Sequence, residues 1–248
     1  MAKDALGWRC KFAVVAPSTN TIVQPDMDSL RVDGVTNHFG RIFVPNMRVG
    51  NDDDFVALVE AIGATLYDAV DRCMTCEPDY LVMGMSALMF WDGRAPSEKR
   101  MQALSDHCGV RVSAGSFACE AALNLSGAKR IAVISPYFPV SDRNVTLFFQ
   151  DCGFDVVKFH GLKCASPVAI AQVQEEDLRR LVLEMDDDTI DAFVQVGTNL
   201  SMVRLCLEME EKLAKPCIAI NAATYWHALR AMGINDQFSG HGPLFEKH

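Results

Sequence analysis

Four short segments of this chain concentrate small polar residues that can hold an anion without carrying a charge. They are Pro17-Ser18-Thr19-Asn20-Thr21, Gly84-Met85-Ser86-Ala87, Pro136-Tyr137-Phe138 and Gly197-Thr198-Asn199-Leu200-Ser201. None contains Lys or Arg. An acid group held there would depend on hydroxyl, amide and backbone N–H donors and on helix dipoles. Both Gly-led segments precede a helical pattern, and free N–H groups at a helix start receive carboxylate oxygens well. The same donors stabilise an enediolate-like charge developing on a carboxylate carbon. The hydroxyls of Ser86, Tyr137 and Thr198 are therefore candidate catalytic groups. Candidate substrate contacts are Ser18, Asn20, Gly84, Met85, Ala87, Ser166, Gly197 and Asn199. A plainer role stands beside several of these. Ser18 and Asn20 suit the cap of a helix starting near Gln24, Ser86 and Thr198-Asn199 suit caps too, and Tyr137 could pack with its hydroxyl outward.

Each segment follows a short apolar run, which reads as a buried strand ending in a loop. Strands are expected at residues 12–16, 38–44, 80–83, 110–112, 131–134, 155–160, 191–196 and 217–220. Helices are expected at residues 96–107, 140–152, 175–185, 201–213 and 222–232, besides a long one after Asn51. There Asn51 to Asp54 supply a cap and negative charge, and Phe55, Leu58, Val59, Ile62, Leu66 and Val70 recur at helical spacing. This alternation implies an α/β fold with parallel sheets covered by helices. In such sheets ligands bind beyond the carboxyl ends of the strands.

The order also repeats. Ala13-Val14-Val15-Ala16-Pro17-Ser18 matches Ala132-Val133-Ile134-Ser135-Pro136-Tyr137, and the segment from Asp79 to Ser86 matches that from Asp191 to Thr198. The offset of about 112–119 residues points to two pseudo-symmetric Rossmann-like lobes, with the site in the cleft between them. The expected division gives residues 1–112 with 221–248 to an N-terminal lobe and 113–220 to a C-terminal lobe.

Bulk properties exclude several classes. A formal net charge of −9 opposes a nucleic-acid or anionic-membrane surface. No apolar run is long enough for a membrane span, and no signal-peptide pattern opens the chain. The nine cysteines then read as reduced thiols of a cytoplasmic protein, and Cys73-x-x-Cys76 lacks the partner pair that a zinc site needs. The histidines show no metal spacing, and no phosphate loop, dinucleotide fingerprint or nucleophile elbow occurs. His38 and His160 read as structural strand residues.

Taken in order, the loops resemble those of the aspartate/glutamate racemase superfamily, in particular arylmalonate decarboxylases and maleate cis-trans isomerases. The run Val82-Met83-Gly84-Met85-Ser86-Ala87 resembles a Gly-Thr-Ser dioxyanion loop. Ala16-Pro17-Ser18-Thr19-Asn20-Thr21 resembles a Pro-Ser-Ser-Asn loop whose asparagine contacts the substrate carboxylate, and Ser135-Pro136-Tyr137 a Pro-Tyr turn whose tyrosine donates to the same group. Pro216 to Met232 resembles the closing strand and helix. The resemblance implies a cofactor-independent lyase or isomerase acting on a small carboxylic or dicarboxylic acid, commonly a homo-oligomer. The two cysteines that such enzymes use, one per lobe, align with Met85 and Gly197. Thiol racemisation and thiol-addition isomerisation are therefore not expected. Decarboxylation remains open, as does hydrolysis through Thr198, Ser86 or an oriented water. A catalytically inactive carboxylate binder fits the loops as well.

Overall fold

The computed structural model describes residues 4–248. Its first sheet holds β1 (Cys10–Pro17), β2 (Val35–Ile42), β3 (Tyr80–Met83) and β4 (Val112–Ala114) in the order β2-β1-β3-β4, all parallel. Its second holds β5 (Arg130–Ser135), β6 (Asp155–Gly161), β7 (Ala192–Gln195) and β8 (Cys217–Ala219) in the order β6-β5-β7-β8, again parallel. The two halves thus share one topology, and the internal repeat falls on matching strands. The Gly84 N–H donates to the Val15 carbonyl (2.8 Å), and Val196 N–H to the Ile134 carbonyl (2.9 Å). Met85 and Gly197 are the next residues in each half and occupy equivalent places.

Helices α1 (Val23–Ser29), α2 (Asp52–Met74), α3 (Arg94–Cys108) and α4 (Gly115–Ser126) belong to the first half of the chain. They are followed by α5 (Pro139–Asp151), α6 (Glu175–Met185), α7 (Val203–Leu213), α8 (Ile220–Ala231) and α9 (Pro243–Glu246). Helix α2 forms as its pattern dictates. The Asn51 side chain accepts from Asp54 N–H, three Asp residues occupy the first turn, and the six apolar positions read from the sequence are all buried. Each buried side chain of that size stabilises the fold by about 1.5–3 kcal/mol.

The strand edges differ from expectation by a few residues. β2 begins at Val35 and ends at Ile42 rather than spanning 38–44, and β4 runs two residues past the expected lobe boundary at 112. Helix α4 has no counterpart in the sequence expectation. It starts directly after β4 without a side-chain cap, opens on Gly115-Ser116 and is buried along much of its surface. Neither a cap nor a clean apolar stripe marked it. Helix α8 leaves the second sheet yet packs on β3, β4 and α1 of the first, with Tyr225 against Phe12. No helix among the described residues is long and apolar enough to cross a membrane.

In each sheet the order reverses direction between the first and third strands of its half. Chains leaving β1 and β3 diverge there, as do those leaving β5 and β7, opening a crevice at the carboxyl ends. The four polar loops are the continuations of these four strands.

Candidate active site

The carboxyl-end loops enclose a cavity of about 60 Å3. At about 10–15 Å3 per water-sized sphere this is room for roughly four to six such spheres, the scale of a small acid. Its polar lining includes Asn20, Ser86, Tyr137, Thr198 and Asn199, and its apolar lining includes Val44, Phe55, Leu58, Val59, Ile62 and Ile170. No Lys, Arg, His, Asp, Glu or Cys is among the described residues that line it. A larger cavity of about 300 Å3 lies between α7, β8 and the C-terminal segment. It gathers none of the loops at the strand ends, so size does not locate the chemistry here.

Ser86 and Tyr137 meet across the two halves, hydroxyl to hydroxyl at 2.6 Å, both buried. Ser86 precedes a short 3-10 turn, Ala87–Phe90, and spends no side-chain bond on capping it. Tyr137 is turned inward by its backbone. Its N–H donates to Ser135 Oγ (3.1 Å), whose own proton goes to Asp142, and its ring packs edge-on against Phe55 at 5.3 Å. Burial pushes the Tyr137 phenol well above its ordinary value, partly offset by the Ser86 hydrogen bond. The phenol is therefore a protonated donor at neutral pH. Burial likewise raises Asp142 from 3.8 to about 6, against the lowering effect of the Ser135 bond.

Thr198 is the sequence equivalent of Ser86, but its hydroxyl is committed. It accepts from Asn20 Nδ2 (3.0 Å) and donates to the Gly84 carbonyl (2.9 Å). Asn20 Oδ1 caps α1 by accepting from Ile22 and Val23 N–H, both at 3.0 Å. Asn199 accepts from Thr21 N–H (2.9 Å) and donates to the Pro167 carbonyl (2.9 Å). The second-half loop is thus laced to the first half by side chains already in use. Among the described residues, no acceptor takes the backbone N–H of Met85, Ser86, Gly197 or Thr198. These four residues line the cavity or its polar edge and supply unengaged donors.

Three residues expected to touch substrate lie outside the lining. Ser18 is turned to the backbone of Val44, donating to its carbonyl (3.2 Å) and accepting from its N–H (3.0 Å). Gly84 is a packing position, where a Cβ would lie 3.1 Å from Ala16 Cβ and 3.1 Å from the Val15 carbonyl. Ser166 accepts from Ala169 N–H at 3.2 Å in a turn, and its neighbour Pro167 lines the cavity instead. Gly197 does line it, at φ +97°, with Pro136 carbons 2.5 Å from where a Cβ would stand. Met85, Ala87, Asn20 and Asn199 line the cavity. The apolar wall, from α2 and from Ile170, was legible only as a helix core stripe. That the stripe turns from core to cavity at Phe55–Ile62 depends on the facing lobe.

The cysteines are elsewhere. Burial pushes Cys10, Cys152 and Cys217 up to about 12 and Cys164 to about 11, with Cys119 and Cys206 raised further. Cys73 donates to the His38 carbonyl and Cys76 to that of Cys73, and no metal-competent cluster of His, Cys, Asp or Glu occurs among the described residues. His38 lies in β2, His227 bonds Ser113, and His107 pairs with Asp71 at a helix end.

A family model for arylmalonate decarboxylase matches residues 62–245, about three quarters of the chain. The chain belongs to the arylmalonate decarboxylase family. Across this family and beyond, a maleate isomerase of Pseudomonas putida is 24% identical, covering 94% of this chain and 96% of that protein. The fold is that of a Nocardia farcinica maleate cis-trans isomerase, a cysteine-to-serine mutant with a covalently bound succinylcysteine intermediate. The TM-score is 0.87 at 17% identity, over 96% of this chain and 98% of that one. Arylmalonate decarboxylase itself superposes with a TM-score of 0.73 at 19% identity, over 96% and 100% of the two chains. This member of the family is an enzyme, and its relatives include both isomerases and decarboxylases.

Proposed function

We propose that this arylmalonate decarboxylase family member is a cofactor-independent decarboxylase of small 2-substituted malonate-type acids that works without a thiol. The observation that carries the reading is the lining of the cavity: neutral donors from the strand-end loops, apolar side chains from α2, and no cysteine or charged residue among the described residues that line it. One carboxylate would accept from Ser86, Tyr137 and the free N–H groups of the Met85 and Gly197 loops. The second would face Phe55, Leu58, Val59 and Ile62, where nothing replaces its lost hydration. Loss of CO2 leaves its bonding pair on the 2-carbon, delocalised into the held carboxylate as an enediolate. The donors already aimed at that group stabilise the added charge.

The proton that completes the product comes from the Tyr137 hydroxyl, with Ser86 bridging, and water then restores the phenol. A raised phenol suits this role. It stays protonated until a base as strong as the enediolate forms. Thr198 is not assigned a nucleophilic role, because its proton is bound to the Gly84 carbonyl and no base lines the cavity.

The test is mass spectrometry of a panel of 2-alkyl- and 2-arylmalonates and of maleate. CO2 release from a substituted malonate that survives thiol alkylation supports the reading. Maleate-to-fumarate turnover abolished by alkylation overturns it, and so does tight binding of every acid without turnover.

A further inference from the structure

Behind the cavity lining, and bonded to it through Thr198, lies a buried amide with one atom unpaired. Asn221, the second residue of α8, is 2% exposed. Its Nδ2 donates both to Asp26 Oδ2 on α1 (2.8 Å) and to the Thr198 carbonyl (2.9 Å). Its Oδ1 is buried without a hydrogen-bond partner. Such an orphaned acceptor costs about 1–3 kcal/mol, so the orientation needs a compensating reason. An amide can turn over, exchanging oxygen and nitrogen. Here the turn would set Oδ1 against two acceptors, the Asp26 carboxylate and the Thr198 carbonyl. An ionised carboxylate only accepts, so it holds Nδ2 toward itself and thereby toward Thr198.

We infer that Asp26 is a positioning residue: its carboxylate, acting through Asn221, fixes the peptide of Thr198 and with it the donor loop at the cavity. Thr198 is the only cavity residue in this chain of bonds, and its side chain is already tied to Asn20 and Gly84. That carbonyl belongs to the Thr198–Asn199 peptide, so its anchor fixes Thr198 on its carboxyl side, while the Gly197 carbonyl ahead of the unengaged Thr198 N–H is held by Gln195 Nε2 (2.8 Å).

Proton uptake by Asp26 would release the anchor. A carboxylic acid can donate to Oδ1, the amide then loses its single preferred orientation, and the Thr198 carbonyl loses its steady donor. Burial brings this change within reach by pushing Asp26 up from 3.8 to about 6, with the Asn221 bond opposing. The charged and titratable groups around it have partners of their own. Arg41 of β2 donates to the Asn20 carbonyl and to Gln24. On α8, Tyr225 bonds Asn37, His227 bonds Ser113, and Arg230 donates to the Ile234 and Asp236 carbonyls. Asp28 of α1 accepts from Asn37. The Cys206 thiol of α7 senses Asp26 but is held protonated by its own burial.

The deciding experiment follows the Asn221 side-chain amide by 15N–1H spectroscopy of the full chain between pH 5 and 8. The cross-peaks should titrate with a midpoint near 6, together with the Thr198 backbone amide, and this coupled titration should be absent in Asp26→Asn. In parallel, calorimetric binding of phenylmalonate as probe should weaken about tenfold below the midpoint in the native protein and stay flat across the range in Asp26→Asn. Cross-peaks that do not move with pH, or that still titrate in Asp26→Asn, overturn the proposal. If Asp26→Asn does not fold, Asn221→Ala serves. It should abolish the pH dependence of the Thr198 amide, and persistence of that dependence overturns the proposal. The inference shares the cavity with the functional reading but not its chemistry. Should phenylmalonate fail to bind at any pH, the decarboxylase reading falls, and the amide titration alone still decides the role of Asp26.

Discussion

The Met85-Ser86 and Gly197-Thr198 loops occupy equivalent places in two like-folded halves, yet they do different things. Ser86 and Tyr137 share a hydroxyl–hydroxyl bond in which either can donate, which leaves one hydroxyl proton free at the cavity. Thr198 has the same kind of hydroxyl at the same place, but its one proton goes to the Gly84 carbonyl and it accepts from Asn20. Symmetry of backbone has not produced symmetry of chemistry. One loop offers a hydroxyl pair to the cavity, and the other ties the halves together through its side chain while its backbone donors stay free. At Gly197 the backbone is left-handed and Pro136 fills the space a side chain would need.

The tying loop is where substitution should unfold the protein, and the hydroxyl pair is where it should stop the reaction. Gly197→Ala is the harshest test. The strained φ adds about 1–3 kcal/mol and the clash with Pro136 about 1–3 more. Its urea midpoint should drop accordingly, and an unchanged midpoint would show that the loop moves freely and is no tie.

Thr198→Val comes next. It orphans the Asn20 donor and the Gly84 acceptor, about 1–3 kcal/mol each. It should lower the thermal midpoint while the surviving folded fraction keeps its turnover number. A stable but inactive variant would place Thr198 with the hydroxyl pair.

Tyr137→Phe inverts the pattern. Binding of a carboxylate should weaken by about 0.5–3 kcal/mol and turnover should fall further, with stability changed by about 1 kcal/mol. Retained turnover would remove Tyr137 as proton donor.

The smallest effect concerns Asp142, which supports the Tyr137 turn through Ser135. Its folded pKa, about 6, lies above its ordinary 3.8, so the folded state binds the extra proton. Its contribution to stability is therefore complete below about pH 4 and is lost as pH rises through 6. Asp142→Asn keeps an acceptor for Ser135 and should gain stability relative to the native chain from pH 4 to pH 7. A pH-independent difference in urea midpoint would show that Asp142 is not held from solvent.

Much of this was written in local pattern. The strand-end loops, the cap and acidic first turn of α2, its six-residue apolar stripe, and the repeat that pairs Met85 with Gly197 are all readable from residue type and spacing. They follow from short-range physics: burial periodicity, helix-end donors and the reach of small polar side chains. What only the folded chain decided is the use to which identical residue types are put. Ser18 and Ser86 are both loop serines, but the first is spent on the Val44 backbone and the second meets a tyrosine fifty-one positions away. Helix α4 escaped because burial on many sides erases the stripe that marks a surface helix. Asp26 and Asn221 gave no signal, since a carboxylate and an amide 195 positions apart become partners only when α8 crosses back onto the first sheet. Hydrogen bonds are satisfied by whatever the tertiary packing brings within about 3 Å, and that distance is not encoded in any single segment.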